Sequence, residues 1–333
     1  MRLRLARIDQ LSDLEAIADE WWALWHRAPS ATPFQSPTWL IPWWKTFAPG
    51  KLCVLAVKHG ATLVGLAPFY VEPGGRALPL GISVSDYLDV LVDPDHLAPA
   101  GDVLSGAIVD GLHAGISAWA LPELRPTAQA LDLAPDAIGE LHPGDVCPVL
   151  ALPDQAQDLA EVVPHARMRK VRMARHRAAR AGGYTIEVCG TPALVDALGD
   201  LVRLHAIRWA ERGGGIFADE RVAAFHREAL PALDRAGLLR VLRCRIGGEV
   251  AGVYYGLRDG TCAYAYIGGF DPQQAYTSPG TLLIAAAIED AVAAGAREFH
   301  FLRGDEPYKH AWGAVDRLNC CRIFRPLKAL AYG

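Results

Sequence analysis

Gly268-Gly-Phe-Asp-Pro272, Ser278-Pro279-Gly280 and Leu302-Arg-Gly-Asp-Glu-Pro-Tyr-Lys-His-Ala-Trp312 mark the stretch whose reading decides the fold. Between the last two lies Thr281 to Ala294, in which Leu282, Leu283, Ile284, Ala286, Ala287, Ile288 and Val292 leave little polar surface besides Glu289 and Asp290. Such a segment, apolar nearly all round, predicts a buried helix. Pro279 and Gly280 punctuate its start, and Gly295 stands where a helix-terminating glycine belongs. Glu298 to Leu302 reads as a strand with Phe299 and Phe301 on one face, and Cys262 to Ile267 reads as the strand before the helix. Strand, loop, buried helix and strand thus follow in order. A helix opening at a strand end presents free amides and a positive dipole end to an anion.

Working outward, Leu239 to Ile246, Glu249 to Leu257 and Cys262 to Ile267 predict a meander turned by Gly247-Gly248 and Asp259-Gly260. Pro192 to Arg212 and Glu220 to Ala236 predict helices. His205 falls near the buried stripe of the first, where a histidine is more often a satisfied core residue than a catalyst. His165 to Ala181 predicts a helix carrying Arg167, Arg169, Lys170, Arg172, Arg175, Arg177 and Arg180. These cations read either as a solvated, ion-paired face or as a patch for a phosphate-bearing partner.

Nearer the start, Leu11 to His26 predicts a helix with Ser12 and Glu15 as a capping box, and Thr38 to Phe47 a second. Their tryptophans (21, 22, 25, 39, 43, 44) read as core, with an acceptor groove as the alternative. Leu52 to Val57 and Thr62 to Val71 predict a hairpin, Tyr87 to Val92 a strand, Val103 to His113 a helix and Ala118 to Leu121 a strand. Leu124 to Pro164, rich in Pro and Asp, closes this half, and Arg317 to Arg325 predicts a last strand. Val54-Leu55, Gly60 and Gly65 match Val241-Leu242, Gly247 and Gly252 at one constant offset, a weak internal repeat. The expectation is an α/β chain of two similar halves, 1–164 and 165–333, with mixed, mostly antiparallel sheets flanked by helices.

Composition narrows the function. At 333 residues, 51% of them hydrophobic, the chain can bury a full core; a net charge of -4 gives no global case for nucleic acid. Seven scattered cysteines without metal-ligand spacing read as reduced thiols, so no metal is expected. The charged N-terminus lacks an apolar signal core and no run is long enough to span a bilayer, so a cytoplasmic protein is expected, with peripheral membrane contact open.

The C-terminal block, from Gly268-Gly-Phe-Asp-Pro through Ser-Pro-Gly to Phe301-Leu-Arg-Gly-Asp-Glu-Pro-Tyr-Lys-His-Ala-Trp312, resembles the FemAB-like, CelD-type branch of the GNAT acyltransferases. Leu204-His205-Ala-Ile-Arg208-Trp209, Arg212-Gly213, Arg169-Lys170-Val-Arg172 and Ser85-Asp86-Tyr87-Leu88-Asp89 fit the same family, so the likeness runs over most of the chain. The resemblance implies two GNAT-type halves and acyl transfer from a thioester, acyl-CoA such as acetyl-CoA or an acyl carrier protein, to an amine. The amine would sit on a sugar, sphingoid base or peptide, as in envelope polysaccharide or lipid biosynthesis. It implies a donor site at Ile267, Gly268, Gly269, Ser278, Gly280, Thr281 and Leu282, and acceptor contacts from Asp86, Tyr87, Arg172, Arg208, Trp209, Arg303 and Trp312.

The loop departs from the usual GNAT pattern: Gln274-Ala-Tyr-Thr-Ser-Pro-Gly keeps one glycine in place, and Pro279 has no amide to donate. Transfer from aminoacyl-tRNA, as in FemX-type enzymes, and a non-catalytic nucleotide- or polysaccharide-binding module remain as alternatives. For the chemistry, Asp305 or Glu306 is the expected base, Lys309 the oxyanion donor and Tyr308 the acid, with His205 the alternative base. A purely structural, Pro-capped turn with Asp305 as its cap is the competing reading of the same residues.

Overall fold

The computed structural model describes residues 2–134, 139–210 and 215–326. In chain order these form β1 (Leu3–Ile8), α1 (Leu11–Ala16), α2 (Ala18–Arg27), α3 (Pro37–Phe47), β2 (Lys51–His59), β3 (Thr62–Val71), β4 (Arg76–Pro79), β5 (Leu91–Val92), α4 (Leu97–His113) and β6 (Ala118–Leu124). There follow β7 (Gly139–Ala151), α5 (Leu159–Val162), α6 (His165–Arg180), β8 (Tyr184–Cys189), α7 (Leu194–Trp209), α8 (Glu220–Arg235), β9 (Leu239–Ile246), β10 (Glu249–Arg258) and β11 (Cys262–Phe270). The chain closes with α9 (Pro279–Ala293), β12 (Glu298–His300), α10 (Pro307–His310) and β13 (Val315–Phe324). It divides into two compact units, residues 1–145 with 318–333, and residues 146–317.

Each unit has the same plan. In the first, β1-β2-β3-β4 run antiparallel, α4 crosses over, and β6 joins β4 in parallel before β13 pairs antiparallel with β6. In the second, β8-β9-β10-β11 run antiparallel, α9 crosses over, and β12 joins β11 in parallel before β7 pairs antiparallel with β12. The matched glycines of the repeat occupy one structural role. A Cβ on Gly65 would press on Val57 at 3.2 Å and on Ala100 of α4 at 3.5 Å; one on Gly252 would lie 2.8 Å from Leu283 of α9. In each case the crossing helix lies against a strand that has no side chain at that point.

α9 is buried as its composition requires. Leu282, Leu283, Ala287, Ile288 and Val292 are each at most 4% exposed and pack with Val171, Phe299 and Trp312. Each large aliphatic contributes about 2 kcal/mol by burial. The two acidic residues of α9 pair outward, Glu289 with Arg175 of α6 and Asp290 with Arg240 of β9, each at 2.7 Å. The core of the first unit is built from Val57, Phe69, Leu104, Ile108 and Trp119.

The structure corrects several expectations. The first helix breaks at Ile17, and its N-cap is Gln10 with no side-chain bond, so Ser12 and Glu15 form no capping box there. A capping box forms instead at Thr32 and Gln35, ahead of α3. Residues 87–90 are not strand; only Leu91–Val92 pairs, with β3. Strands β1, β4, β7 and β8 are not legible in the sequence, and β7 runs through the Pro- and Asp-rich segment Leu124 to Pro164. The compact units divide at Asp145/Val146 instead of at 164/165, and the first is completed by the strand at the end of the chain. Trp21, Trp25, Trp39, Trp43 and Trp44 are all under 9% exposed, hence core. No described helix is long and apolar enough to cross a membrane.

Candidate active site

The site begins where two parallel strands part. β11 pairs with β12 only through Cys262, Ala263 and Tyr264, opposite Glu298, Phe299 and His300. Beyond Tyr264, β11 continues to Phe270 against β10 alone. Its other edge, from Ala265 onward, has no strand partner among the described residues, so backbone amides and carbonyls line a cleft. That cleft opens into a cavity of about 400 Å³ inside the second unit. β11 forms one wall, and the last turn before α9 with its first turns, from Ala275 to Ile284, forms another. Val253 and Tyr254 of β10, Arg167 of α6, Arg208 of α7 and Tyr308 of α10 complete it.

Six of the seven residues expected at a donor site line this cavity: Ile267, Gly268, Gly269, Ser278, Gly280 and Thr281. Leu282 does not; it is 2% exposed in the core. The two glycines of β11 differ in role. A Cβ on Gly269 would crowd Leu204 and Leu201 of α7 at 3.1 and 3.2 Å, whereas a Cβ on Gly268 would meet no atom closer than 4.0 Å. Gly269 therefore lets α7 approach, and Gly268 leaves the cleft open.

The amides at the start of α9 are mostly engaged. Ser278, in a left-handed conformation, donates its N–H to the Ala275 carbonyl, while the amides of Thr281 and Leu282 both donate to the Ser278 carbonyl at 3.0 and 3.2 Å. With Pro279 lacking an N–H, Gly280 is left as the one amide of that turn not engaged in these bonds.

The loop after β12 is held by Lys309. Its ammonium, 2% exposed as a residue, donates to the carbonyls of Leu302 at 3.1 Å, Arg303 at 2.5 Å and Gly304 at 3.1 Å, and pairs with Glu306 at 2.8 Å. Leu302 and Gly304 take positive φ of 59° and 110°, which wraps these carbonyls around the ammonium. Lys309 is not among the cavity-lining residues, and its donors are saturated, so the geometry makes it a clamp and not the oxyanion donor read from the sequence. Asp305 is not the cap of α10; the N-cap is Glu306, without a side-chain bond. Asp305 lies 77% exposed beside His310, which pairs more closely with Asp316, at 2.7 Å. That bond is the first cause of the raised His310 pKa.

Tyr308 is the expected catalytic residue that reaches the cavity. Tyr308 is 42% exposed as a residue, yet loss of water around its phenol pushes it up to about 12; Glu306 adds to the rise, and Arg208 and Arg167 oppose it. His205 is 6% exposed, walled by Trp209 and Phe217, and does not line the cavity. Among the expected acceptor contacts, Arg208 lines the cavity with its guanidinium 4.7 Å over the Phe270 ring. Trp312 lies buried beneath Arg167, 4.2 Å from ring centroid to guanidinium. Arg303 serves through its carbonyl, and Trp209 packs on His205. Arg172 is exposed on α6, as are Arg169 and Lys170. Arg212 and Gly213 lie outside the described residues.

Asp86 and Tyr87 belong to the first unit and line no part of this cavity. Their segment has a different task. Beyond the two residues at which β4 pairs with β6, the Leu88 amide donates to the Glu123 carbonyl, and Gln35 and Asn319 donate to the carbonyls of Tyr87 and Asp86. Asp89, 7% exposed, accepts from the amides of Val90, Gln129 and Ala130 at 2.8 to 3.0 Å. This is a structural knot.

Arg167, Tyr254, Tyr266 and Phe270 were not singled out for the cavity from the sequence. Alternation along β11 marks Tyr266 and Phe270, but nothing local distinguishes Arg167 from its neighbouring arginines. Among the described residues, Cys262, Glu298 and His300 are close enough to share an ion. Glu298, however, already accepts from Arg317 at 2.9 and 2.5 Å and pairs with His300 at 3.0 Å.

The family described as an acetyltransferase (GNAT) domain matches residues 165–310. No curated protein matches the chain. Among solved structures, the fold is similar to that of FemX, with a TM-score of 0.66 at 12% identity over 95% of this chain and 96% of that one. It is also similar to the C-terminal domain (DUF2156) of a putative lysylphosphatidylglycerol synthetase from Agrobacterium fabrum, with a TM-score of 0.61 at 11% identity over 93% and 92%. A conserved protein of unknown function from Bacteroides thetaiotaomicron aligns with a TM-score of 0.63 at 13% identity over 97% and 100%.

Proposed function

We propose that this acyltransferase, GNAT-type over residues 165–310 and FemAB-like in fold, moves an acyl group from a thioester to an amine in the cavity beside β11. The observation that carries the reading is the parting of β11 from β12 after Tyr264, which bares a strand edge in a cavity large enough for a pantetheine arm. An extended arm pairs with such an edge as an added strand would. The acceptor is an amine on a sugar, a sphingoid base or a peptide, within envelope polysaccharide or lipid synthesis, and the enzyme works in the cytoplasm.

The amine nitrogen attacks the thioester carbonyl; the C–N bond forms, the C–S bond breaks, and sulfur departs as thiolate. The Tyr308 phenol, protonated at neutral pH, donates a hydrogen bond to the developing oxyanion or to the sulfur. With a pKa near 12 it is a poor source of a whole proton for a thiolate, so the thiol regains its proton from solvent. The acceptor ammonium loses its proton through water to Glu306, the carboxylate that acts on Tyr308, with the exposed Asp305 as the second route. The engaged amides at α9 favour a donor held chiefly by its arm, and a carrier-bound pantetheine suits that better than free CoA.

The second reading is aminoacyl transfer from aminoacyl-tRNA. It is favoured by one observation: Arg169, Lys170 and Arg172 stand exposed on α6 without an ion pair among the described residues. Incubating the chain with acyl-CoA, acyl carrier protein or aminoacyl-tRNA and following thermal stabilisation tests the choice, since a ligand of the native state must raise the melting temperature. Stabilisation by aminoacyl-tRNA alone would overturn the thioester reading.

A further inference from the structure

We infer that the cavity binds an oxyanion of its ligand, a phosphate or a carboxylate, between Arg167 and Arg208 in front of Tyr308. Arg167 and Arg208 are the two charged side chains that line the cavity; no carboxylate or imidazole does so among the described residues. Three other arginines of this unit are matched with acids: Arg175 with Glu289, Arg240 with Asp290 and Arg317 with Glu298. Arg167 has no such partner: its Nε is buried without a hydrogen bond, and burial lowers its pKa. A partly desolvated guanidinium without a counter-charge is unfavourable unless a ligand supplies one.

The geometry presents both groups ready for that ligand. Arg167 stacks on Trp312 at 4.2 Å and Arg208 on Phe270 at 4.7 Å. Stacking fixes the guanidinium plane and leaves the N–H edge for a planar, two-pronged contact with an oxyanion. Tyr308 lines the same cavity, so the two guanidiniums and the phenol share one space. The inference rests on the acyl-transfer reading only for the origin of the anion. It is either the phosphate of the donor's phosphopantetheine arm or an anionic group on the acyl chain or the acceptor.

Titration calorimetry of the full chain with pantetheine, 4′-phosphopantetheine and inorganic phosphate tests this. The proteins compared are the wild type, R208M and R167M/R208M; methionine keeps an apolar stem on each ring. Phosphate is expected to bind the wild type with salt-dependent affinity, and about tenfold or more weaker to the double variant. R208M alone, at an exposed position, gives the intermediate value if the double variant loses stability. A preference for 4′-phosphopantetheine over pantetheine that disappears in R208M assigns the oxyanion to the donor arm. Equal binding of the two arms, with phosphate still lost in the variants, assigns it to the acyl group or acceptor. Failure of phosphate and 4′-phosphopantetheine to distinguish wild type from both variants overturns the inference, while pantetheine binding would still stand for the thioester reading. Phosphate bound through the arginines without any pantetheine binding leaves the anion site and removes the thioester donor.

Discussion

The Lys309 ammonium lies 2.8 Å from the Glu306 carboxylate and is enclosed by the carbonyls of Leu302, Arg303 and Gly304. It ties the loop after β12 to α10, the helix from which Tyr308 projects. Lys309→Met leaves three carbonyls and a carboxylate without their donor, and is expected to lower stability by about 3 kcal/mol. Turnover per folded molecule should fall much less than the melting temperature suggests. Measuring kcat and melting temperature on one sample decides the point; a large fall in kcat at unchanged melting temperature restores Lys309 to the chemistry.

Gly268 faces open cavity, with 4.0 Å to the nearest atom from an added Cβ. Gly268→Leu should leave the melting temperature within a degree or two and remove stabilisation by the donor. Gly269→Leu, which drives into α7, should instead unfold the protein. If both variants keep donor binding, the edge of β11 is not the donor's track.

Tyr308→Phe removes the hydroxyl that shares the cavity with Arg167 and Arg208 while keeping the ring against Phe301. A donor to a developing oxyanion contributes about 3 kcal/mol, so kcat should drop about a hundredfold with stability nearly unchanged. Because the phenol titrates near 12, the activity of the wild type should show no loss from Tyr308 ionisation up to about pH 10. Equal activity of the variant would remove Tyr308 from the mechanism.

Two carboxylates, the half-buried Glu298 and the buried Asp89, should give opposite acid responses. His300 first, then Arg317, holds Glu298 down to about 2 from 4.5, so its stabilisation is present above pH 4.5 and is lost as pH falls toward 2. Burial raises Asp89 to about 6 from 3.8 against the pull of its three amides, so its contribution is fullest below 3.8 and declines as pH rises through 6. Denaturant melts from pH 2 to 7 should therefore lose acid-side slope in Glu298→Gln and lose the decline between about pH 4 and 6 in Asp89→Asn. Asp89→Asn also turns an amide N–H toward the Gln129 N–H. It should cost about 1 to 3 kcal/mol at neutral pH if the knot matters, and nothing if it does not.

Reversing Arg169, Lys170 and Arg172 to glutamate together should leave the melting temperature nearly unchanged, since all three are exposed. If the partner is tRNA or an acidic carrier protein, its affinity should fall and the salt dependence of binding should flatten. Unchanged affinity and slope at low salt would make α6 a solvated face.

Much of the site was legible because its signals are local. The run Ser278-Pro279-Gly280 followed by an all-apolar segment marks a buried helix starting at a strand end, and that junction became the wall of the cavity. Tyr308 and Arg208 were reached from short motifs. The errors arose where a residue's partner is distant in sequence. Lys309 looked like a free cation beside two carboxylates, but the positive φ of Leu302 and Gly304 turns three carbonyls onto it. Residues 87–92 read as a strand, and Asp86 and Tyr87 as acceptor contacts, because the hydrogen-bond partners of this segment, Gln35, Gln129, Ala130 and Asn319, are out of local view.

By itself the sequence determined the meander, the buried crossing helix and the repeat of the two halves, because hydrophobic period, turn glycines and helix punctuation act over a few residues. Only the tertiary structure decided which strand completes each unit and where β11 leaves β12. It also decided which two arginines of many face the cavity, and those depend on packing between residues far apart in the chain. Arg167 and Arg172 are about 1.4 helical turns apart on α6, yet one stacks on Trp312 inside the cavity wall and the other stands in solvent. No property of either residue in the sequence separates them; the position of Trp312 does.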